Sequence, residues 1–388
     1  MKITRRDATR LLLGASLAAA LPSRAAEPSD SLDALARAKG MRFGNAIGIS
    51  GSGSRSKSRF HDERYRELMK RECGVLVCEN ETKWQHLRPN PETFRFAQAD
   101  EMFAWARSNG MLVRGHTLMW QPSKWLPKWV NEHDFGADPK REAERLLVEH
   151  VSTVCKHFGD IVSSYDVVNE AVDPKTGELR ANVFTERLGA IEELDLMFRL
   201  ARENAPHAQL VYNDYMSWGD GYILHRAGVL KLLHEFRKRG TPVQALGLQS
   251  HIGATEDGSE GTSARGYDTE WRKFLDEVNG MGFDLLITEF DVNDREFPAD
   301  IARRDASVAA IGKAYLDLTL SYPRVRTMMC WGMVDTVSWL QDRYPREDKL
   351  PQRPNPYDGD FKAKALRGAI AEAIRAMPDR AAQQTSGS

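Results

Sequence analysis

The stretch "YDVVNEAVD", residues 165–173, is an apolar run that ends in an amide and a carboxylate side by side, Asn169 and Glu170. A short run rich in valine reads as a strand buried on both faces, as in parallel sheets. Taken alone, the polar ending also suits a helix start, because Asn caps well and Glu belongs in a first turn. The rest of the chain separates the two readings. Besides "IVSSYDVVNE" (161–170), seven further runs have strand character: "FGNAIG" (43–48), "VLVCEN" (75–80), "MLVRGHTLMW" (111–120), "QLVYNDY" (209–215), "ALGLQSHI" (245–252), "DLLITEFDV" (284–292) and "VRTMMCWGMVD" (325–335). All but the first turn polar or aromatic at the C-terminal end: Glu79 and Asn80; His116 and Trp120; Asn169 and Glu170; Asn213, Asp214 and Tyr215; Gln249 and His251; Glu289 and Asp291; Trp331 and Asp335. Helix caps would supply Ser, Thr and Asp at such places, not His, Gln and Trp.

Between the strands lie amphipathic runs. In "REAERLLVEHVSTVCKHF" (141–158), Leu147, Val151, Val154 and Phe158 fall at spacings of four, three and four, one face of a helix. "LDLMFRLA" and "WRKFLDEV" carry similar stripes, and Gly110 follows "ADEMFAWARSN" as a helix terminator would. Eight strands alternating with helices predict a single (β/α)8 barrel of the TIM type over residues 30–378, with its chemistry at the C-terminal ends of the strands. A doubly wound open sheet would announce itself by a Gly-rich phosphate turn after the first strand. The glycine-rich "GISGSGSRSKS" (48–58) lacks that G-x-G-x-x-G spacing and reads as a mobile loop.

The chain has 388 residues, 41% hydrophobic and 28% charged, with a formal net charge of −1. Nothing in that balance draws it to nucleic acid or to an anionic membrane; the expected partner is a neutral substrate. Residues 1–26 have the anatomy of an export signal: basic residues including Arg5 and Arg6, which resemble a twin-arginine signal, then an apolar stretch from Leu11 to Leu21, too short to span a bilayer, then small residues. A periplasmic or secreted protein is expected, monomeric and free of the membrane once mature. Residues 379–388 read as a polar tail. Cys73, Cys78, Cys155 and Cys330 show no metal spacing and read as buried fillers. An extended "CGVLVC" would hold Cys73 and Cys78 roughly 16 Å apart, beyond disulfide reach.

Among the polar strand ends, Glu170 and Glu289 form a pair suited to glycoside cleavage, one protonating the leaving oxygen and the other attacking the anomeric carbon at a separation of about 5 Å. His251, on the adjacent strand, could hydrogen-bond Glu289 and keep it ionised, with Asp291 behind it. Asn169 could donate to a sugar 2-hydroxyl. Trp84, Trp120, Trp331 and Trp339, at or just past strand ends, would offer flat faces to pyranose rings. A metal-dependent hydrolase could draw on His116, His251, Glu170 and Asp291, but the chain has no H-x-H or H-E-x-x-H pair to seed a metal site. A sugar-binding barrel that does not hydrolyse would not need both carboxylates.

Seven segments in order make the chain resemble glycoside hydrolase family 10, the retaining endo-β-1,4-xylanases, over roughly residues 40–378. They are "ENETKW" (79–84), "RGHTLMW" (114–120), "DVVNEA" (166–171), "YNDY" (212–215), "GLQSHI" (247–252), "ITEFDV" (287–292) and "WGMVDTVSW" (331–339). The resemblance implies Glu170 as general acid/base, Glu289 as nucleophile, no cofactor and no metal. It further implies that Glu79, Asn80, Lys83, His116, Trp120, Asn169, Gln249, His251, Trp331 and Trp339 line the glycone side, that Tyr215 lies on the aglycone side, and that Asp291 stands behind. The expected substrate is xylan, with xylo-oligosaccharide or β-glucan as the alternative. Two departures from the family pattern stand out. "QPSKWLPKW" (121–129) is longer by about two residues and has Gln121 where a His is usual, and Met216 stands where Asn is frequent, which would cost a polar aglycone contact.

Overall fold

Strand pairing runs in chain order from β1 (Arg42–Ile47) through β2 (Val75–Cys78), β3 (Leu112–Trp120), β4 (Val162–Asn169) and β5 (Gln209–Asp214) to β6 (Ala245–Leu248), every pair parallel. A three-residue strand β7 (His251–Gly253) lies beside β8 (Asp284–Asn293), which pairs with both β6 and β9 (Val325–Cys330). Because β9 also pairs with β1, the sheet closes into the predicted barrel, with β7 outside the ring of eight. Parallel neighbours require crossovers, and helices such as Pro139–Phe158 and Ala190–Asn204 supply them. The computed structural model describes residues 30–49, 59–253 and 267–380. The signal-like residues 1–26, nearly all of the glycine-rich run and residues 381–388 lie outside the described residues.

The helix Pro139–Phe158 shows how local chemistry sets the elements. The Asp138 side chain accepts from the backbone N–H of Arg141, and Pro139 occupies the first turn, where its missing N–H costs nothing. The predicted stripe of Leu147, Val151, Val154 and Phe158 is wholly buried against the barrel. On β3 and β4 the two faces separate cleanly. Val113 and Tyr165 join the large apolar cluster under the helices, whereas Arg114, His116 and Asp166, in the alternate positions, bond to one another inside the barrel. The four cysteines are free and buried, as expected of fillers.

Three expectations are corrected. The run 245–252 is not one strand, because Ser250 takes a left-handed backbone (φ 62°), its hydroxyl bonded to the Leu248 carbonyl and paired with the Tyr315 hydroxyl. Glu79, Asn80, Trp331 and Asp335 lie past the ends of β2 and β9 rather than on them. Arg380, assigned to the polar tail, is fully buried and donates to the carbonyls of Val325, Leu320 and Tyr322, so the fold extends to this residue.

Closure of the ring depends on close backbone approach at Gly44, where an added Cβ would lie 2.4 Å from the carbonyl oxygen of Val75 on β2. A backbone atom inside a ladder cannot swing away, so Gly44→Ala is expected to destabilise by about 1–3 kcal/mol. Urea denaturation of the two proteins measures it; an unchanged midpoint would show that β1 and β2 can slide apart freely.

Candidate active site

At the C-terminal mouth of the barrel lies an open cleft of about 1390 Å³, lined by Glu170, Glu289 and every residue that the family resemblance places around them, from Glu79 around the ring to Trp339. The two carboxylates come from β4's end and from β8 and share one chain of amides. Asn213, buried at the end of β5, donates from Nδ2 to Glu289 Oε1 at 2.8 Å and to Asn169 Oδ1 at 2.8 Å. Asn169 Nδ2 and Gln249 Nε2 in turn donate to Glu170 Oε1, at 3.3 and 3.1 Å. Glu170 itself sits in the left-handed region (φ 59°), where a residue other than Gly costs about 1–3 kcal/mol. Its N–H donates to the Asn213 carbonyl at 2.9 Å, so the same residue anchors both its backbone and the opposite carboxylate.

These surroundings drive the two acids apart. Burial pushes the Glu170 carboxyl up, the charges of Asp214 and Glu289 add to that, and the Trp120 indole and Gln249 amide offset only part. Burial would raise Glu289 as well, but the hydrogen bond from His251, the nearby His116, the charge on His251 and the bond from Asn213 outweigh it and hold the group at about 2. His251 stands between two carboxylates, Nε2 3.2 Å from Glu289 and Nδ1 3.0 Å from Asp291. Burial lowers its affinity for a proton, yet Asp291 and Glu289 carry it up to about 10, so it is an imidazolium at neutral pH. Asp291 is fixed in turn by the Trp339 indole N–H at 2.8 Å. The Glu170 carboxyl is thereby raised while Glu289 is held low and ionised, a separation in the direction that a proton donor and a nucleophile require.

On one flank of the pair, Lys83 lies 4.5 Å from the centre of the Trp120 ring and 5.9 Å from that of Trp331, and donates to Asn80 at 3.2 Å. Burial lowers its proton affinity against the pull of Glu289, Glu79 and Glu170. Glu79 is raised by burial and by Glu81 to about 7. His116, set by Asp166 at 2.9 Å, presents its ring edge-on to Trp331. Across the cleft, Tyr215 is half-buried and its hydroxyl accepts from Arg180 at 2.8 Å.

Five residues turn out to lie elsewhere. Trp84 is not on the rim; it is buried, stacked at 3.8 Å on His150 and at 5.7 Å on Phe184, because its short helix turns it under the cleft. Met216 is likewise buried in the main apolar core. Asp214 pairs with His225, and Asp335 with Lys364, away from the cleft lining. Gln121 lies beneath the sugar-facing surface, donating to the buried Glu193 at 2.6 Å, while Trp125 of the lengthened segment stacks on Trp120 at 4.4 Å and lines the cleft. Trp125 and Arg180 were not anticipated; neither sits at a strand end, where the sequence signal lies. No group of three His, Cys, Asp or Glu able to hold a metal occurs among the described residues.

Residues 31–373 match the family described as glycosyl hydrolase family 10. The chain belongs to glycosyl hydrolase family 10. Endo-1,4-beta-xylanase B of Thermotoga neapolitana is 31% identical over 281 residues, spanning 72% of this chain and 75% of its own. Among solved structures, native xylanase 10B of Thermotoga maritima superposes with a TM-score of 0.75 at 28% identity, over 89% of this chain and 98% of that one. Xylanase 10B of Thermotoga petrophila RKU-1, solved with xylobiose, gives 0.76 at 28%, over 89% and 97%. The protein is a family 10 glycoside hydrolase.

The asymmetry of the pair can be measured without substrate. In carbon-13 NMR of labelled glutamates, Glu289 is expected to titrate near pH 2 and Glu170 above the ordinary carboxylate range. His251→Ala removes both a donor and a positive charge, so Glu289 should move upward; an unmoved Glu289 would show that His251 does not set its ionisation.

Proposed function

We propose that this family 10 enzyme is an endo-1,4-β-xylanase that cleaves internal bonds of xylan with retention. The observation that carries the reading is the inequality of two acids joined by one chain of amides: a buried Glu170 raised above its ordinary value and a Glu289 held near 2 beside the His251 imidazolium. In the first step Glu289 attacks the anomeric carbon while Glu170 gives its proton to the departing glycosidic oxygen, leaving a glycosyl ester on Glu289. In the second, the now ionised Glu170 takes a proton from water as that water attacks the same carbon, which frees Glu289 and restores the original configuration. Lys83, Asn80, Glu79 and His116 would grip sugar hydroxyls on the glycone side, with Trp120, Trp331 and Trp339 shaping the apolar walls. Tyr215 would receive the leaving sugar. The names of the relatives, and the xylobiose bound in one of them, support xylan as the polymer. A polymeric substrate also agrees with export, which the first 26 residues suggest.

Glu289→Gln should abolish turnover. Glu170→Ala should lose about 10²–10⁴-fold on xylan and recover with azide on substrates whose leaving group needs no proton. The pH profile follows from the same pair: activity needs Glu170 protonated and Glu289 ionised, so it falls on the alkaline side as Glu170 gives up its proton and on the acid side as Glu289 gains one. In Glu170→Ala, assayed on an activated aryl substrate, the alkaline limb should vanish. NMR of the first anomer released from xylo-oligosaccharide should show the β form; the α form would mean that water displaces the sugar directly. Sugars released from a panel of xylan, mixed-linkage glucan and short oligosaccharides test the choice of polymer.

A further inference from the structure

The loop after β4 leaves the cleft and returns to it. Asp173 donates its backbone N–H to Glu178, Val172 bridges to Leu179, and the N–H of Arg180 comes back to the carbonyl of Ala171 at 2.8 Å. This tight excursion delivers the Arg180 side chain to the backbone of the residue it left. The guanidinium then makes three contacts in three directions: Nε donates to the Glu170 carbonyl oxygen at 3.1 Å, Nη1 to Asp173 Oδ2 at 3.3 Å, and Nη2 to the Tyr215 hydroxyl at 2.8 Å.

From this geometry we infer that Arg180 is a positioning residue that locks the proton donor and the leaving-group site into one frame. The inference rests on the assignment of Glu170 as acid/base and Tyr215 as an aglycone contact. Glu170 occupies a backbone region that a residue with a side chain does not choose, and it is held there at two points. Asn213 takes its N–H from the core side, and Arg180 takes its carbonyl from the loop side. Without the tie from Arg180, the Glu170 carbonyl loses its partner and the peptide after it is held only at the Ala171 N–H, by the Tyr212 hydroxyl, so the carboxyl can shift with it. The third arm matters because Tyr215 is carried by the segment after β5, a separate piece of chain whose hydroxyl is set by the same rigid fork. Proton transfer tolerates little error in distance, so a sugar docked on Tyr215 must present its glycosidic oxygen where Glu170 points. Arg180 lines the cleft and reaches Glu170 through its backbone carbonyl, while the leading influences on the Glu170 carboxyl are burial, Trp120, Gln249, Asp214 and Glu289. A Lys could supply the charge but not three planar donors at fixed angles.

The test compares Arg180→Met and Arg180→Lys with the native enzyme on xylotetraose and on a dinitrophenyl β-xylobioside, together with melting curves and a crystal structure of Arg180→Met. The native enzyme, run alongside, reports on the substrate assignment by itself. For both variants kcat/KM on xylotetraose is expected to fall roughly 10- to 100-fold, while kcat/KM on the activated aryl substrate, whose bond cleavage needs no proton from Glu170, changes less than about threefold. The crystal structure should show the Glu170 carboxyl displaced or split between positions. Equal losses on both substrates, full activity in Arg180→Lys, or a Glu170 superimposable on the native one would overturn the inference; an inactive native enzyme with a displaced Glu170 in Arg180→Met would instead overturn only the choice of substrate.

Discussion

Two carboxyl groups of the same kind are made chemically unequal by a few buried polar side chains, and most of the barrel mouth is arranged around keeping those side chains in place. Asn213 is the hinge of the arrangement. Its amide nitrogen serves Glu289 and Asn169 together, its amide oxygen accepts from Thr288 at 2.7 Å, and its backbone carbonyl holds the N–H of Glu170. Each hydrogen-bonding atom of the side chain is used, which is what permits a fully buried amide at the floor of a cleft. The neighbouring strand accommodates it: at Gly247 an added Cβ would lie 2.2 Å from the Asn213 oxygen, so β6 must be bare where β5 is polar.

From that floor the charges are layered outward. Asp291 holds His251, His251 holds Glu289, and the negative charge of Glu289 helps to raise Glu170. Breaking one member therefore propagates: a neutral residue at 251 raises Glu289 and, by weakening its charge, relaxes the pressure on Glu170. Four described residues other than glycine have a left-handed backbone: Glu170, Ser250, Lys349 and Phe361. Glu170 and Ser250 are both left-handed without being glycine, and both lie where a strand gives way to the site. The ring shifts register where β3 meets β4, β4 meets β5 and β8 meets β9, and the apolar layer packed between strands and helices is the surround that can hold such conformations.

The aromatic residues divide by depth rather than by position along the chain. Trp120, Trp331 and Trp339 reach the cleft, and each touches a polar member of the site: Lys83 over the rings of the first two, Asp291 at the indole of the third. Trp84, one residue past Lys83, turns the other way because a helical turn begins there and points it into the layer of His150 and Phe184. Neither residue type nor proximity to a strand end distinguishes the two fates. Segment 121–129 holds a single-turn helix, Ser123–Trp125, which lays a second indole against Trp120.

The alternation of apolar runs and amphipathic stripes determined the barrel, since parallel strands joined by helices have few ways to close. The recurrence of polar residues at the strand ends determined the site, because in a parallel barrel all those ends meet at one mouth. Glu170, Glu289, His251 and the other strand-end residues were legible for that reason, whereas Lys83 and the division into glycone and aglycone sides came only with the resemblance to family 10. Bond directions were not. Which face of a turn Trp84 or Trp125 takes, whether Gln121 sees sugar or a buried Glu193, and how Arg180 returns from its loop to the residue it left depend on backbone angles set by packing over long sequence separations. Local spacing holds no record of these, and only the folded chain decides them.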